Sequence, residues 1–590
     1  MPGLVGYTDR LKKHDSSMLS NMRNLLKYFD WYIDAELYSD GIVNATQTHL
    51  GIINKTIAPH HMSNRFSIWI EGEFYNQEKL KAKYNVLSTT DNELFLNIYN
   101  STKSFKFLKD IDGYYAAALY DNQKKQLYLI TDRYGFKPFY WGLINDNLVW
   151  SSELKGFLGH KDFKCVIDRI AVEEFFDFGH QLENRTWFES IELVPPASVI
   201  AFDIDKAQVT IENYWSWNDI KFINESIDEA EIADEIGRLF KQSVEHRVNK
   251  NERVGISLSG GLDSRAILAA TPETHTPLHT LTFGKKDCDD IIIAKKVSKI
   301  KGAHHHVLDL NSKDWLNLRI NGVWGSDGSI SLLHMHGSEF CDKYKSYMDF
   351  SLNGFAGDLV CGGSYLNSNN FEKKITHDII RKKTNCNKDS FVFNDWYRIN
   401  KTDPYFVNNR VRRFTNSGLI IVSKYVENKI PFFDNDLVEF IYAMPDRARY
   451  KSNIYNKMLL RTFPEYFRTI PWQSTGAPIS CPDYLVKLVS FKKKLFRRLK
   501  REAGRFGFKE RNPVDYTDYP EWIRQEPARG LFSEILLNKS SLYPEYIDSK
   551  MVHGHLHDHM THKSNHHNEL CLYLTFEVWL QQIFNNRFRQ

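Results

Sequence analysis

The sequence predicts an α/β protein in two parts: a β-rich first half, then a doubly wound parallel sheet with a helical C-terminal part. Three observations carry this. Up to about Trp215, short apolar runs such as "FSIWIEGEFYN", "GYYAAALYD", "QLYLITD" and "NLVWSS" are separated by turn residues. Beyond it the rhythm becomes strand, helix, strand, in "RVGISLSGG", "SRAILAA", "LHTLTFG" and "DDIIIAKKVSKIKG". With 590 residues the chain also exceeds what one ordinary core holds, so at least two domains are expected.

In chain order, the apolar runs of the first half alternate poorly, as strands covered on both faces do. "ELVPPASVIAFD" closes that half with a paired-proline turn, and "SWNDIKFINESIDEAEI" reads as a linker into a helix capped by Ser226 or Asp228. The predicted division is therefore 1–215 and 216–590. From about Phe371 the reading is mostly helical. Composition is that of a soluble globular protein, 42% apolar and 25% charged. Its 77 basic and 73 acidic residues leave +4, too little to argue for a nucleic-acid or membrane partner. No apolar run approaches the roughly 18 residues of a transmembrane segment, and the start "MPGLVGYTDRLKKHD" lacks a secretory pattern. Seven scattered cysteines without a CxxC pair point to reduced thiols and a cytoplasmic location.

The stretch "VGISLSGGLDSRAIL", Val254 to Leu268, concentrates the chemistry. A glycine pair after a buried strand lets backbone N–H groups close around an anion, and the following helix adds its positive end. Ser259 and Ser264 supply hydroxyl donors beside Gly260 and Gly261. Asp263 would repel a phosphate unless a divalent metal stood between them, so the motif points to Mg-bound triphosphate. It is neither GxxxxGK[ST] nor GxGxxG. The bland alternative is a glycine turn with Asp263 as a helix cap.

"SGGLDS" resembles the phosphate loop of the N-type ATP pyrophosphatases, and the parts that follow resemble the asparagine synthetases. "NGFAGDLVCGG", Asn353 to Gly363, is similar to that family's second loop. The resemblance implies that Gly354 lies at the nucleotide and that Asp358 joins Asp263 in holding Mg²⁺. "TFG" (Thr282, Phe283, Gly284) matches the strand end that meets the adenosine, and Asp289–Asp290 resembles the acidic pair after it. "ENKIPFFDNDLVEF" resembles ExRxPFLD, and "NKMLLR" places Lys457 where the family has a lysine that stabilises the adenylate-to-amide step. ATP and Mg²⁺ are thus the implied cofactors, and a carboxylate and an amine the implied substrates.

The first half resembles the family's glutaminase domain, which implies an N-terminal-nucleophile αββα sandwich. "EGEFYN", "TTDNELF" (Asp91), "TDRYGFKPFYWG" and "VWSSELKGFL" carry the likeness. Glutamine hydrolysis there needs an N-terminal cysteine whose amine assists its own thiol. This chain has Pro2 in "MPGLVG", and its first cysteine is Cys165. His49 stands for the arginine that binds the glutamine carboxylate. Glu71 stands for the oxyanion-hole asparagine, where a carboxylate would oppose the oxyanion. Gly72, Glu73 and Asp91 remain. The expectation is a domain that does not hydrolyse glutamine, as in the β-lactam synthetases and lasso-peptide cyclases.

The second half departs as well. Phe355 replaces the glutamate of "GEG", Leu359 replaces the acidic neighbour of Asp358, and Thr475 in "IPWQSTGAP" stands where a lysine is common. Two stretches lie outside the motifs. Residues 487–511 hold eleven basic and two acidic residues, with Leu488, Leu495, Phe496 and Leu499 near one helical face. They read either as a solvated helix packed by that face or as a dock for an acidic partner. Residues 553–567 hold seven histidines and read as a polar loop before the last helix, with metal binding as the alternative. "AHHH" (His304 to His306) reads as the end of a helix-to-strand link. Three functions stay open: a tailoring amide ligase, an ammonia-dependent asparagine synthetase, and a non-catalytic nucleotide-binding scaffold.

Overall fold

The computed structural model describes residues 2–12, 16–53, 59–62, 65–223, 228–275, 277–384, 395–397, 399–492, 495 and 515–589. Its first half stacks two antiparallel sheets face to face. One runs Glu192–Leu193, Tyr140–Ile144, Asn147–Ser151, Gly3–Thr8, Val43–His49, Ile33–Asp34, with Tyr38–Ser39 also on Val43–His49. The other runs Gln208–Asn213, Ser198–Asp203, Gln126–Thr131, Gly113–Asp121, Phe66–Phe74, His60–Met62.

The strand period of two explains why the apolar runs do not alternate. In Gly113–Asp121, Ala116, Ala118 and Tyr120 enter the core between the sheets. Tyr115, Ala117 and Leu119 enter a second core, with Leu94, Phe95 and Ile98 of the Asp91–Thr102 helix. The first sheet is covered in the same way by Met18, Leu19 and Met22 of the Ser16–Asn24 helix and by the Arg169–Phe178 helix. Helix, sheet, sheet and helix are the four layers the resemblance implied.

The second half is built on a five-stranded parallel sheet in the order His304–Asp309, His279–Gly284, Val254–Ser257, Phe350–Leu352, Glu427–Lys429. The helix Glu229–His246 leads into it. Asp228 is its cap, accepting from the Ala230 N–H at 3.1 Å, while Ser226 lies outside the described residues. No described helix is long and apolar enough to cross a membrane.

Three expectations change. The histidine-rich stretch is not a loop: it lies on the helix Ser549–Met560 and the turn that enters His567–Phe584. Asp548 caps that helix, and Val552, Leu556 and His559 recur on its buried face at helical spacing, so the run has its own inward stripe. His304–His306 is not a link but the start of a strand in register with His279–Leu281. In the basic stretch, residues 483–492 are helical, but Leu488 and Leu495 are 52% and 46% exposed instead of packed. The rest of it, Phe496 and Leu499 included, lies outside the described residues.

One turn of the first half stands among the contacts between the halves. Asp132 accepts from the N–H groups of Tyr134, Phe136 and Lys137 at 3.0, 3.3 and 3.1 Å and so fixes "DRYGFK". The ring of Phe136 then stands edge-on to Phe355 (5.2 Å) and Phe433 (4.6 Å) of the second half. Nearby, buried Arg247 bridges Asp112 at 2.8 Å and Asp434 at 3.1 Å. Phe136→Ala should lower stability by about 3–5 kcal/mol, read as a lower urea midpoint. A loss below about 1 kcal/mol would mean that the ring is not what joins the halves.

Candidate active site

The site lies at the carboxyl ends of two adjacent parallel strands, where open α/β sheets place their ligands. After Val254–Ser257 the chain turns through Leu258–Leu262 into the helix Asp263–Ala270. Hydroxyls knit this turn: Ser264 Oγ accepts from the Ser259 N–H at 3.1 Å, and Ser259 Oγ accepts from the Gly261 N–H at 3.1 Å. Asp290 Oδ1 accepts from the Gly260 N–H at 2.8 Å, so the acidic pair read from sequence touches the glycine loop directly. Buried Arg265 donates to the carbonyls of Gly260 (3.1 Å) and Pro471 (2.9 Å), tying the loop to the segment that carries Trp472. Thr282 braces it from below, its hydroxyl donating to the Leu258 carbonyl at 2.6 Å.

From Phe350–Leu352 the chain passes through Asn353 and Gly354 to the short helix Gly357–Val360. A Cβ on Gly354 would lie 2.7 Å from the Ser264 nitrogen and 3.0 Å from the Asp263 carbonyl carbon; only glycine allows this approach. The approach brings the two aspartates together. Asp263 Oδ2 accepts from the Asp358 N–H at 2.9 Å, and Oδ1 accepts from the Tyr455 hydroxyl at 2.8 Å. Burial, and then the charge of Asp358, push the Asp263 carboxyl well above the usual carboxylate range; burial pushes Asp358 up too.

Between these walls is a cavity of about 390 Å³, lined among others by Ser259, Asp263, Ser264, Asp358, Ser452 and Tyr455. Gly261 and Gly354 also line it, whereas Gly260, Thr282, Phe283 and Gly284 do not.

Lys457 does not reach this cavity. It is two residues beyond Tyr455 in the helix Asn453–Thr462, hence about 200° around the axis. Its ammonium pairs with Glu229 on the outer face, where the lysine side chain is 45% exposed. The residue that this helix turns inward is Tyr455, which sequence reading did not single out. The signal was available: Ile454, Tyr455, Met458 and Leu459 form the buried stripe, and Lys457 falls outside it.

In the first half, Pro2, His49 and Glu71 do come together, around a cavity of about 20 Å³, room for about one water. Glu71 is buried, accepting from Ser152 Oγ at 2.6 Å and pairing with Lys137 at 3.2 Å. Lys137 also pairs with Glu427 of the second half at 3.6 Å. Burial works against the Lys137 charge, but Glu427 and Glu71 outweigh it and hold the ammonium above its usual range. Burial raises the Glu71 carboxyl and lowers the His49 imidazole. One step along the same strands, Lys429 pairs with Glu73 at 3.5 Å and Glu252 at 2.7 Å. Asp91 accepts from the Phe74 N–H at 3.2 Å and from Gln77 Nε2 at 2.8 Å, which fixes the strand end beside Glu73.

Comparison with known proteins matches the glutamine amidotransferase domain family to residues 1–215 and the asparagine synthase family to residues 235–412. Asparagine synthetase [glutamine-hydrolyzing] 3 of Bacillus subtilis strain 168 is 24% identical over 483 residues, 71% of this chain and 77% of that protein. The Mus musculus asparagine synthetase [glutamine-hydrolyzing] is 26% identical over 437 residues, 70% of this chain and 71% of that protein. A Methanocaldococcus jannaschii relative is 30% identical over 322 residues, 53% of this chain; the match spans 60% of the relative's own length. Both domains matched in order, and relatives of one name, support an asparagine synthetase family protein.

Proposed function

We propose that this protein is an ATP-dependent, AMP-forming ligase. It adenylates a carboxylate and passes it to an amine in a biosynthetic tailoring pathway, without hydrolysing glutamine. The observation that carries the reading is the single cavity in which Ser259, Ser264, Asp263 and Asp358 converge. Serine hydroxyls and loop N–H groups suit the triphosphate. Asp290, on the Gly260 N–H, would have to yield that donor to a phosphate oxygen.

The residues present fit a magnesium ion. Asp263 and Asp358 are hard oxygen donors, held close enough to repel each other, and among the described residues neither pairs with a lysine or arginine. Bound there, Mg²⁺ would neutralise charge on the departing pyrophosphate. The chain's own part is to hold both carboxylates at the loop, to present Ser259 and Ser264 to phosphate oxygens, and to close the cavity with Trp472. Lys457 would act only if it left Glu229 and swung around its helix.

The first half supports the amine arriving by another route. Pro2 carries no thiol, and the cavity it lines with Glu71, about 20 Å³, is too small for a glutamine side chain. A second reading, an ammonia-dependent asparagine synthetase, is favoured by the relatives' names and makes aspartate the first carboxylate to test.

With Mg-ATP and aspartate, AMP should form with ammonium and not with glutamine. AMP and glutamate from glutamine would overturn the inactive first half, and no AMP with ammonium would set aspartate aside in favour of a dedicated acceptor. Asp263→Asn should abolish AMP formation yet stabilise the ligand-free protein at pH 8, by on the order of 1–3 kcal/mol. The sign follows from a carboxyl raised on folding: its ionisation costs stability as pH rises. The gain should therefore vanish as pH falls through the unfolded carboxyl value of about 4. A gain over the wild type no larger at pH 8 than at pH 4 would contradict it.

A further inference from the structure

Asp263 is gripped on both oxygens, and the two grips differ in kind. Oδ2 meets a backbone N–H, that of Asp358, which no substitution other than proline removes. Oδ1 meets the hydroxyl of Tyr455, a side chain that is 1% exposed and comes from a helix remote in sequence. The ring is clamped by Phe432, edge-on at 6.2 Å, so the hydroxyl has little freedom to leave. The helix is entered through Lys451 and Ser452, both left-handed at φ 55 and φ 58, and Ser452 is itself a wall of the cavity. Two non-glycine residues in that region persist only where surrounding structure imposes them. Here that turn sets the phase that aims Tyr455, and not Lys457, at Asp263.

We infer that Tyr455 is a positioning residue for the metal site: its hydroxyl fixes the Asp263 carboxylate in the orientation that receives Mg²⁺ with the triphosphate. This rests on the reading of Asp263 as a metal ligand. A carboxylate held by one donor alone can rotate about its last bond and must be ordered again when the ion binds. The hydroxyl takes one lone pair of Oδ1 and leaves the others free for the ion.

The test is Tyr455→Phe in the full chain, with Asp263→Asn beside it. Thermal shift with ATP is titrated with Mg²⁺, and ATP binding is measured separately in EDTA. Loss of one hydrogen bond to a charged group should raise the Mg²⁺ midpoint about 10-fold in Tyr455→Phe. Ligand-free melting should fall modestly, since Oδ1 loses its donor there too, and ATP binding in EDTA should change far less than the Mg²⁺ midpoint, because the ring still packs on Phe432. An unchanged midpoint in Tyr455→Phe, with the response lost in Asp263→Asn, overturns the role of the tyrosine alone. An unchanged midpoint in Asp263→Asn overturns the metal site and this inference with it. A shift matched by equally weak ATP binding in EDTA means collapse of the cavity, and rejects positioning as the cause.

Discussion

The structure depends on where one short strand is held. Glu427–Lys429 is the last strand of the parallel sheet, and its alternation sends Glu427 and Lys429 toward the first half and Asn428 back into the second. Glu427 meets Lys137, and Lys429 meets Glu73 and Glu252. Buried charges of this kind add little net stability, yet removing one partner is costly, so they fix register more than they add strength. The register then propagates. Past Lys429 the chain turns through Pro431–Phe433, and Phe432 packs under Gly357, where a Cβ would come within 2.7 Å of its ring. Phe432 thus touches both the helix that carries Asp358 and the ring of Tyr455, and through them sets both groups that hold Asp263.

Much of this was legible in the sequence, for a local reason. The phosphate loop, the second loop and the acidic pair are each contiguous, and each follows a strand of the same parallel sheet. Recognising them therefore also predicts that they converge at the strands' carboxyl ends. That the strands of the first half are covered on both faces was legible from runs too apolar to have a wet face, while the four layers followed from the resemblance. The failures lie where local pattern and three-dimensional phase part company. Lys457 sits at the family's position in the series, but a helix shows its neighbours at two-residue spacing to opposite sides, and only the buried stripe reveals which side matters. The histidines failed differently: polar composition suggested a loop, while Val552, Leu556 and His559 kept helical spacing beneath it. The pairing of Lys137 with Glu427 was out of reach, because each lies in a recognisable segment of a different half and nothing in either segment says that the two meet.

The two departures that looked independent in the sequence, Glu71 in the first half and Phe355 in the second, are joined by consecutive residues of one turn. Asp132 holds that turn through backbone N–H groups, so the directions of Phe136 and Lys137 are not independent. Lys137 neutralises Glu71, a carboxylate that its burial would otherwise make costly. Phe136 meets Phe355 edge-on, in a box completed by Phe433 in which a glutamate would have no partner of opposite charge. On the proposed reading, the position opposite the missing nucleophile and the position of the missing glutamate have become the two sides of one domain contact. Residues sharing such a contact are expected to couple in a double-mutant cycle rather than add. Restoring asparagine at 71 and glutamate at 355 would therefore leave Lys137 to Glu427 alone among its ion-pair partners and bury an unpaired charge against Phe136. A glutaminase would not follow from those two changes, because Pro2 would still lack the thiol.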